Sequence, residues 1–251
     1  MDRLFRIESG YVVERAGKLY ECAGDVFDAY ELGRTIDGDA NGLTLLPPVR
    51  PSKIVCVGLN YKDHAGEVGK ALPAEPLLFI KPPSAVIGPG DPIRLPPGVG
   101  RVDHEAELGV VIGRRAHRVP RARAGDYILG LTCVNDVTAR DLQQKESQYT
   151  RCKGFDTFAP IGQCIATGLN GDPRGIEGWV NRDRRQSSNT RHLIFPIDLL
   201  VEFVTFVMTL EPGDIISTGT PEGIGPLAAG DTVTVKIEGV GELSNPVKAE
   251  D

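Results

Sequence analysis

The stretch DHEAELGVVIG, Asp103 to Gly113, is the most informative part of this sequence. Its second half, LGVVIG, is apolar throughout, as expected of a strand buried in a core. Its first half carries two acids. Side chains alternate along a strand, so Glu105 and Glu107 share one face, roughly 6.5 to 7 Å apart. Two carboxylates at that spacing repel each other, and a divalent cation between their oxygens would turn the repulsion into binding. An all-oxygen shell favours Mg²⁺, Mn²⁺ or Ca²⁺ over Zn²⁺. A pair of acids two apart is commonly a solvated strand face, but here the chain passes at once into LGVVIG, which argues for burial. His104 should project to the opposite face and reads as a packing residue or a support for the acids.

A third oxygen ligand is available at Asp136, where the apolar strand YILGLTCV stops at Asn135 and Asp136. An Asp in that position is equally suited to cap the next helix. In GLNYKDHAGEVG, residues 58–69, His64 and Glu67 are three apart, so one helical turn would let the carboxylate orient the imidazole as a general base. The glycines around them suit a segment that orders on ligand binding. In RCKGFDTFAPIG, Lys153 could supply a cation to a carboxylate or enolate oxygen, although most lysines are solvated surface charges. The loop STGTPEGIG, residues 217–225, could hold an anionic group through its amides and the Thr220 hydroxyl. It is no phosphate-binding P-loop, since GK[ST] is missing, and GxGxxG is absent too, so a nucleotide cofactor is unsupported.

Working outward, LFRIE, GYVVE and KLYEC read as short strands closed by the extended joint LLPPVRPS. Residues 1–50 are therefore expected to form a small β-rich appendage and residues 51–251 the main domain. KIVCVG, LLFI, ELGVVIG, YILGLTCV, PIGQCIA and DTVTVKI supply strands to that domain. A polar helix should begin at Asp136 or Thr138 and run through Arg140, Asp141, Gln144 and Lys145. Pro196 should open a second, apolar helix whose Leu199, Leu200, Phe203, Val204, Val207 and Met208 fall at helical spacing.

Composition agrees. Gly (30) and Pro (19) make up about a fifth of 251 residues, too many for a helical bundle or coiled coil. The net charge is −6 and no long basic run occurs, so nucleic acid and anionic membrane are poor partners. The first residues lack the apolar stretch of a signal peptide, and a cytoplasmic protein is expected. The five cysteines are scattered, odd in number and without a CxxC pair, which supports neither disulfides nor a thiolate zinc site.

Taken in order, VGLNYKDHA, LLFIKP, HEAELGVVIG, NDVTARDLQ, KGFDTFAPIG and MTLEPGDIISTGTPEGIGPLAAGD resemble successive motifs of the fumarylacetoacetate hydrolase family, across residues 53–247. The resemblance implies an α+β, predominantly β fold, a mixed β-sandwich roll. It also implies a homodimer, a divalent metal, usually Mg²⁺ or Mn²⁺, and a small 2-oxo acid as substrate. Carried onto matching positions, the metal carboxylates are Glu105, Glu107 and Asp136, and His64 and Glu67 form a lid dyad. Lys153 and Thr220 would face the substrate, with Arg140 and Gln144 as further candidates for binding a carboxylate. The appendage resembles the short N-terminal strands of the bacterial branch. One hairpin departs from the family pattern: VNRDRRQSSNT lacks the Gly of a tight turn, and Arg191 stands where a small or acidic residue is common.

A 2-oxo acid can chelate such a metal through its carboxylate and keto oxygens, and the metal then stabilises an enolate. Hydrolysis of a 1,3-diketo acid, decarboxylation and isomerisation all share that intermediate. The C-terminal GDTVTVKIEGVGELSNPV and the short appendage are most similar to 2-hydroxyhepta-2,4-diene-1,7-dioate isomerases and decarboxylases of aromatic catabolism. Acylpyruvate hydrolase and oxaloacetate decarboxylase are the alternatives. A non-catalytic binding module is a further one, and retention of the acids, the dyad and Lys153 counts against it.

Overall fold

The computed structural model describes residues 1–67, 69, 71–169 and 172–250; the predicted end of the main domain, Asp251, lies outside the described residues. Strands dominate and form three sheets. The largest has eleven strands. Its central members are Ala159–Thr167, Ile128–Asn135, Ala106–Ile112, Ile215–Ser217 and Ile54–Gly58, with Leu77–Lys81 at one edge. Most pairings are antiparallel, but Ile215–Ser217 and Ile54–Gly58 run parallel. A five-stranded sheet built on Gly175–Val180, Thr232–Ile237 and Gly241–Ala249 lies against it. Between the two sheets Val55, Leu108, Val110 and Cys133 pack with Ile176, Val235, Ile237 and Leu243 in one core cluster. This is the mixed, predominantly β roll that the resemblance implies. Among the described residues no helix is long and apolar enough to cross a membrane.

The N-terminal strands form as read, and Tyr30–Ile36 follows them as an unforeseen fourth. They extend the large sheet: Asp2–Ile7 pairs with Ala159–Thr167, with Leu4 opposite Ile165. All five cysteines are free, and four of them are buried.

Three local expectations change. The strand expected over Asp103–Gly113 breaks at Glu105, because Val102–His104 leaves the large sheet to pair with Thr138–Ala139 and Gly225–Pro226 in a three-stranded sheet. Those same pairings keep Thr138 and Ala139 extended, so the polar helix is only Arg140–Lys145 and Asp136 does not cap it. The apolar helix is Ile197–Val207, with Pro196 one position earlier than expected, as N-cap. Its buried face is Ile197, Leu200, Val201 and Val204; Val207, assigned to the core from spacing, is 56% exposed. The VNRDRRQ hairpin turns without glycine because Asn181 takes φ +56°, and Asn tolerates the left-handed region better than most residues.

Candidate active site

The acids meet at the joint between sheets. Glu105 occupies the break between Val102–His104 and Ala106–Ile112, Glu107 is the second residue of the latter, and Asp136 follows Ile128–Asn135. Antiparallel pairing sets Ala106 opposite Asn135, and the Asp136 amide donates to the Glu105 carbonyl at 2.9 Å. One carboxylate oxygen from each of the three acids lies within 4.8 Å of the others, and all three side chains are buried.

Buried charges persist only when paired, and here cations and anions alternate. Arg101 donates to Asp103 at 2.6 and 3.0 Å. Asp103 also accepts from Arg140 Nε at 2.9 Å, while Arg140 Nη2 donates to Glu105 Oε1 at 2.5 Å. Lys153 Nζ bridges Glu105 Oε2 at 2.8 Å and Asp136 Oδ2 at 2.5 Å. Lys81 ends the series on Asp136 Oδ1 at 2.5 Å. Burial alone would raise the Glu105 carboxyl, but the Lys153 and Arg140 cations overcome it and hold that group well below the usual carboxylate range. The Lys153 ammonium is likewise held above its ordinary value, since Asp136 and Glu105 outweigh its burial.

Among the described residues no cation donates a hydrogen bond to Glu107. Its Oε2 accepts from Ser217 Oγ at 2.5 Å and from the Gly219 amide at 2.9 Å. Burial and the charges of Asp136 and Glu105 push its carboxyl up to about 8. Gly219 is required there: at φ +97°, a Cβ would meet Asn60 Cβ at 2.8 Å and the Val57 carbonyl at 3.0 Å. Three mutually close buried carboxyl groups, one of them held only by hydroxyl and amide donors, make an all-oxygen set that a hard divalent cation fits. The residues present therefore fit a divalent metal.

The acids open on a cavity of about 420 Å³, also lined by His64, Arg140, Gln143, Gln144, Lys153 and Thr220. His64 and Glu67 lie on the helix Lys62–Glu67, and the His64 Nδ1 to Glu67 Oε2 distance is 2.8 Å. The Gly223 amide holds the other Glu67 oxygen at 2.9 Å. Two amides of the 217–225 loop thus hold the protein's own carboxyl groups, Glu107 and Glu67. Thr220 reaches the cavity with its hydroxyl donating to the Ala106 carbonyl at 2.9 Å and accepting from Gln186 at 2.8 Å. Gln144 is exposed at the rim. Phe79 and Tyr149, edge to face at 5.5 Å, form an aromatic wall, with Lys153 Nζ 4.9 Å from the Phe79 ring centre. His104 is buried and does not line the cavity.

Lys81, Asp103 and Gln143 belong to this constellation and are not evident from sequence spacing. Lys81 ends the apolar strand LLFIK, a position that by itself does not tell a buried cation from a surface one. Gln143 rather than Gln144 joins Arg140, accepting from Nη1 at 2.5 Å.

Residues 53–248 match the family model described as fumarylacetoacetate (FAA) hydrolase C-terminal. A solved structure described as 2-hydroxyhepta-2,4-diene-1,7-dioate isomerase from Mycobacterium marinum superposes with TM-score 0.90 at 40% identity, covering 100% of this chain and 99% of that one. Maleylpyruvate hydrolase from Sphingobium sp. SYK-6, in complex with manganese(II) ion and pyruvate, superposes with TM-score 0.83 at 31% identity, covering 99% and 100%. Oxaloacetate tautomerase fahd2, mitochondrial, of Xenopus laevis is 41% identical over 220 residues, 82% of this chain and 69% of that protein. With its motifs, its fold and its buried acids in agreement, the chain belongs to the fumarylacetoacetate hydrolase family.

Proposed function

We propose that this protein is a divalent-metal-dependent isomerase of 2-oxo acids, moving a proton at the carbon beside the keto group. The observation that carries the reading is one cavity lined by three mutually close buried carboxylates and by His64, whose Nδ1 lies 2.8 Å from Glu67 Oε2. Glu105, Glu107 and Asp136 would hold the metal. When bound, the cation supplies positive charge against which negative charge on the substrate's keto oxygen can develop. Lys153 Nζ stands beside the acids as a further cation for that oxygen or for the carboxylate. His64 Nδ1 is engaged by Glu67, which leaves Nε2 as the nitrogen that takes and returns the proton. Arg140 and Gln144 would meet the substrate's carboxylate, Thr220 would pack beside it, and the Phe79 and Tyr149 wall would exclude water.

The isomerase of Mycobacterium marinum and the tautomerase of Xenopus laevis support proton transfer as the reaction. A second reading, hydrolysis of acylpyruvates, is favoured by the likeness to maleylpyruvate hydrolase, with His64 activating water instead. A turnover screen of oxaloacetate, 2-hydroxy-dienoic acids and acetylpyruvate, with and without Mg²⁺, tests both. Mg²⁺-dependent keto–enol or double-bond isomerisation supports the first reading, cleavage of acetylpyruvate the second, and no turnover on any of them contradicts both.

A further inference from the structure

Asp103 is wholly buried on the middle strand of the three-stranded sheet and does not line the cavity, yet it receives two arginines. Arg101, its side chain about half exposed at 48%, grips both carboxylate oxygens from the protein surface. From the other side Arg140 Nε donates to Oδ2, and the Arg140 amide donates to the Arg101 carbonyl at 2.7 Å. A guanidinium carries five N–H donors in a rigid plane. On Arg140 one goes to Asp103, one to Gln143 and one to Glu105, so each terminal nitrogen keeps one N–H. Those two donors form the fork that grips a carboxylate bidentately, on a head group that lines the cavity.

Resting on the reading of this cavity as a 2-oxo acid site, we propose that Asp103, backed by Arg101, is a positioning residue that aims the free N–H pair of Arg140 at the substrate's carboxylate. The Nε bond to Asp103 restrains the Arg140 plane, and Asp103 is itself held by Arg101 through both carboxylate oxygens. The sequence DHEAE thus carries two functions on successive acids: Glu105 and Glu107 serve the metal, and Asp103, on the neighbouring sheet, serves the substrate. Without Asp103, the guanidinium keeps Glu105 and Gln143 but loses the hold on Nε, and the fork loses its aim.

The test is calorimetric titration of the Mg²⁺-loaded, full-length protein with pyruvate, for wild type, Asp103→Asn and Arg101→Met, with a separate Mg²⁺ titration of each. Asp103→Asn is expected to weaken pyruvate binding by about 10- to 100-fold, the range for groups that orient a ligand-binding residue, with a much smaller change in Mg²⁺ affinity. Arg101→Met should weaken pyruvate in the same direction and by less. Equal pyruvate affinity in Asp103→Asn and wild type overturns the inference and leaves the proposed function standing. An equal loss of Mg²⁺ and pyruvate affinity also overturns it, because Asp103 then acts through Glu105. Wild type that binds Mg²⁺ and no pyruvate overturns the proposed function, and this inference with it. Should Asp103→Asn fail to fold, Arg101→Met decides: unchanged pyruvate affinity contradicts the inference.

Discussion

Lys81 Nζ stands 2.5 Å from Asp136 Oδ1, and neither side chain is exposed to water. The same ammonium donates to the Val137 carbonyl at 2.9 Å, which pins the turn that presents Asp136. Breaking a buried pair from one side leaves a charge with less compensation than its desolvation demands. Lys81→Met is expected to destabilise the protein by about 3 kcal/mol, measured by urea unfolding in the presence of EDTA. A stability equal to wild type would mean that Lys153 alone suffices for Asp136.

The dyad gives a kinetic prediction. Replacing His64 with Ala removes the group that exchanges the proton, so the rate on the preferred substrate should fall by about 10² to 10⁴, while Mg²⁺ affinity is retained. If the protein hydrolyses acylpyruvates, hydrolysis should be lost and Mg²⁺-dependent enolate chemistry should survive in part. An unchanged rate on every active substrate would reduce His64 and Glu67 to a structural turn.

What could be read from the sequence, and what could not, divides along physical lines. Glu105, Glu107 and Asp136 are legible because an acid beside an apolar run is costly without a purpose. The break at Glu105 is not, since the apolar pattern runs on and the cause is long-range pairing of Val102–His104 with Thr138 and Gly225. Lys81 reads as an ordinary surface charge until the fold closes over it. The edge strand Tyr30–Ile36 is hard to read because Gly33 and Arg34 interrupt the alternation of Tyr30, Leu32 and Ile36. Val207 has helical spacing but lies in the last turn, beyond the reach of the core.

Asp214 gives a pH dependence away from the site. Its buried carboxylate accepts from the Ser52 amide and hydroxyl at 2.8 and 2.7 Å, from Lys53 Nζ at 2.6 Å and from the Glu211 amide at 2.9 Å. Burial would raise this carboxyl; the Lys53 and backbone donors outweigh it and set it below the ordinary value. A depressed carboxylate stabilises the fold above its unfolded value, near pH 4, and that stability is lost as the pH falls through the folded value. Asp214→Asn should cost about 2 kcal/mol at neutral pH and flatten the acid limb of a stability profile. A variant whose stability falls with acid as steeply as wild type's would contradict this assignment.

The resemblance to the fumarylacetoacetate hydrolase family implies a homodimer. Phe206 and Val207, 70% and 56% exposed at the end of the apolar helix, are apolar surface that a symmetric interface would cover. Light scattering at micromolar concentration should return twice the chain mass, and the mass of one chain would refute the dimer.

Glu105, Glu107 and Asp136 are proposed to hold one divalent metal. Glu107→Gln tests it most directly, since the amide oxygen can keep the Ser217 and Gly219 hydrogen bonds while the ligand charge is lost. Calorimetric titration with Mn²⁺ should show one ion per wild-type chain, and affinity at least about 10-fold weaker in Glu107→Gln. Equal affinity in the two proteins, or no binding to wild type, would contradict the account.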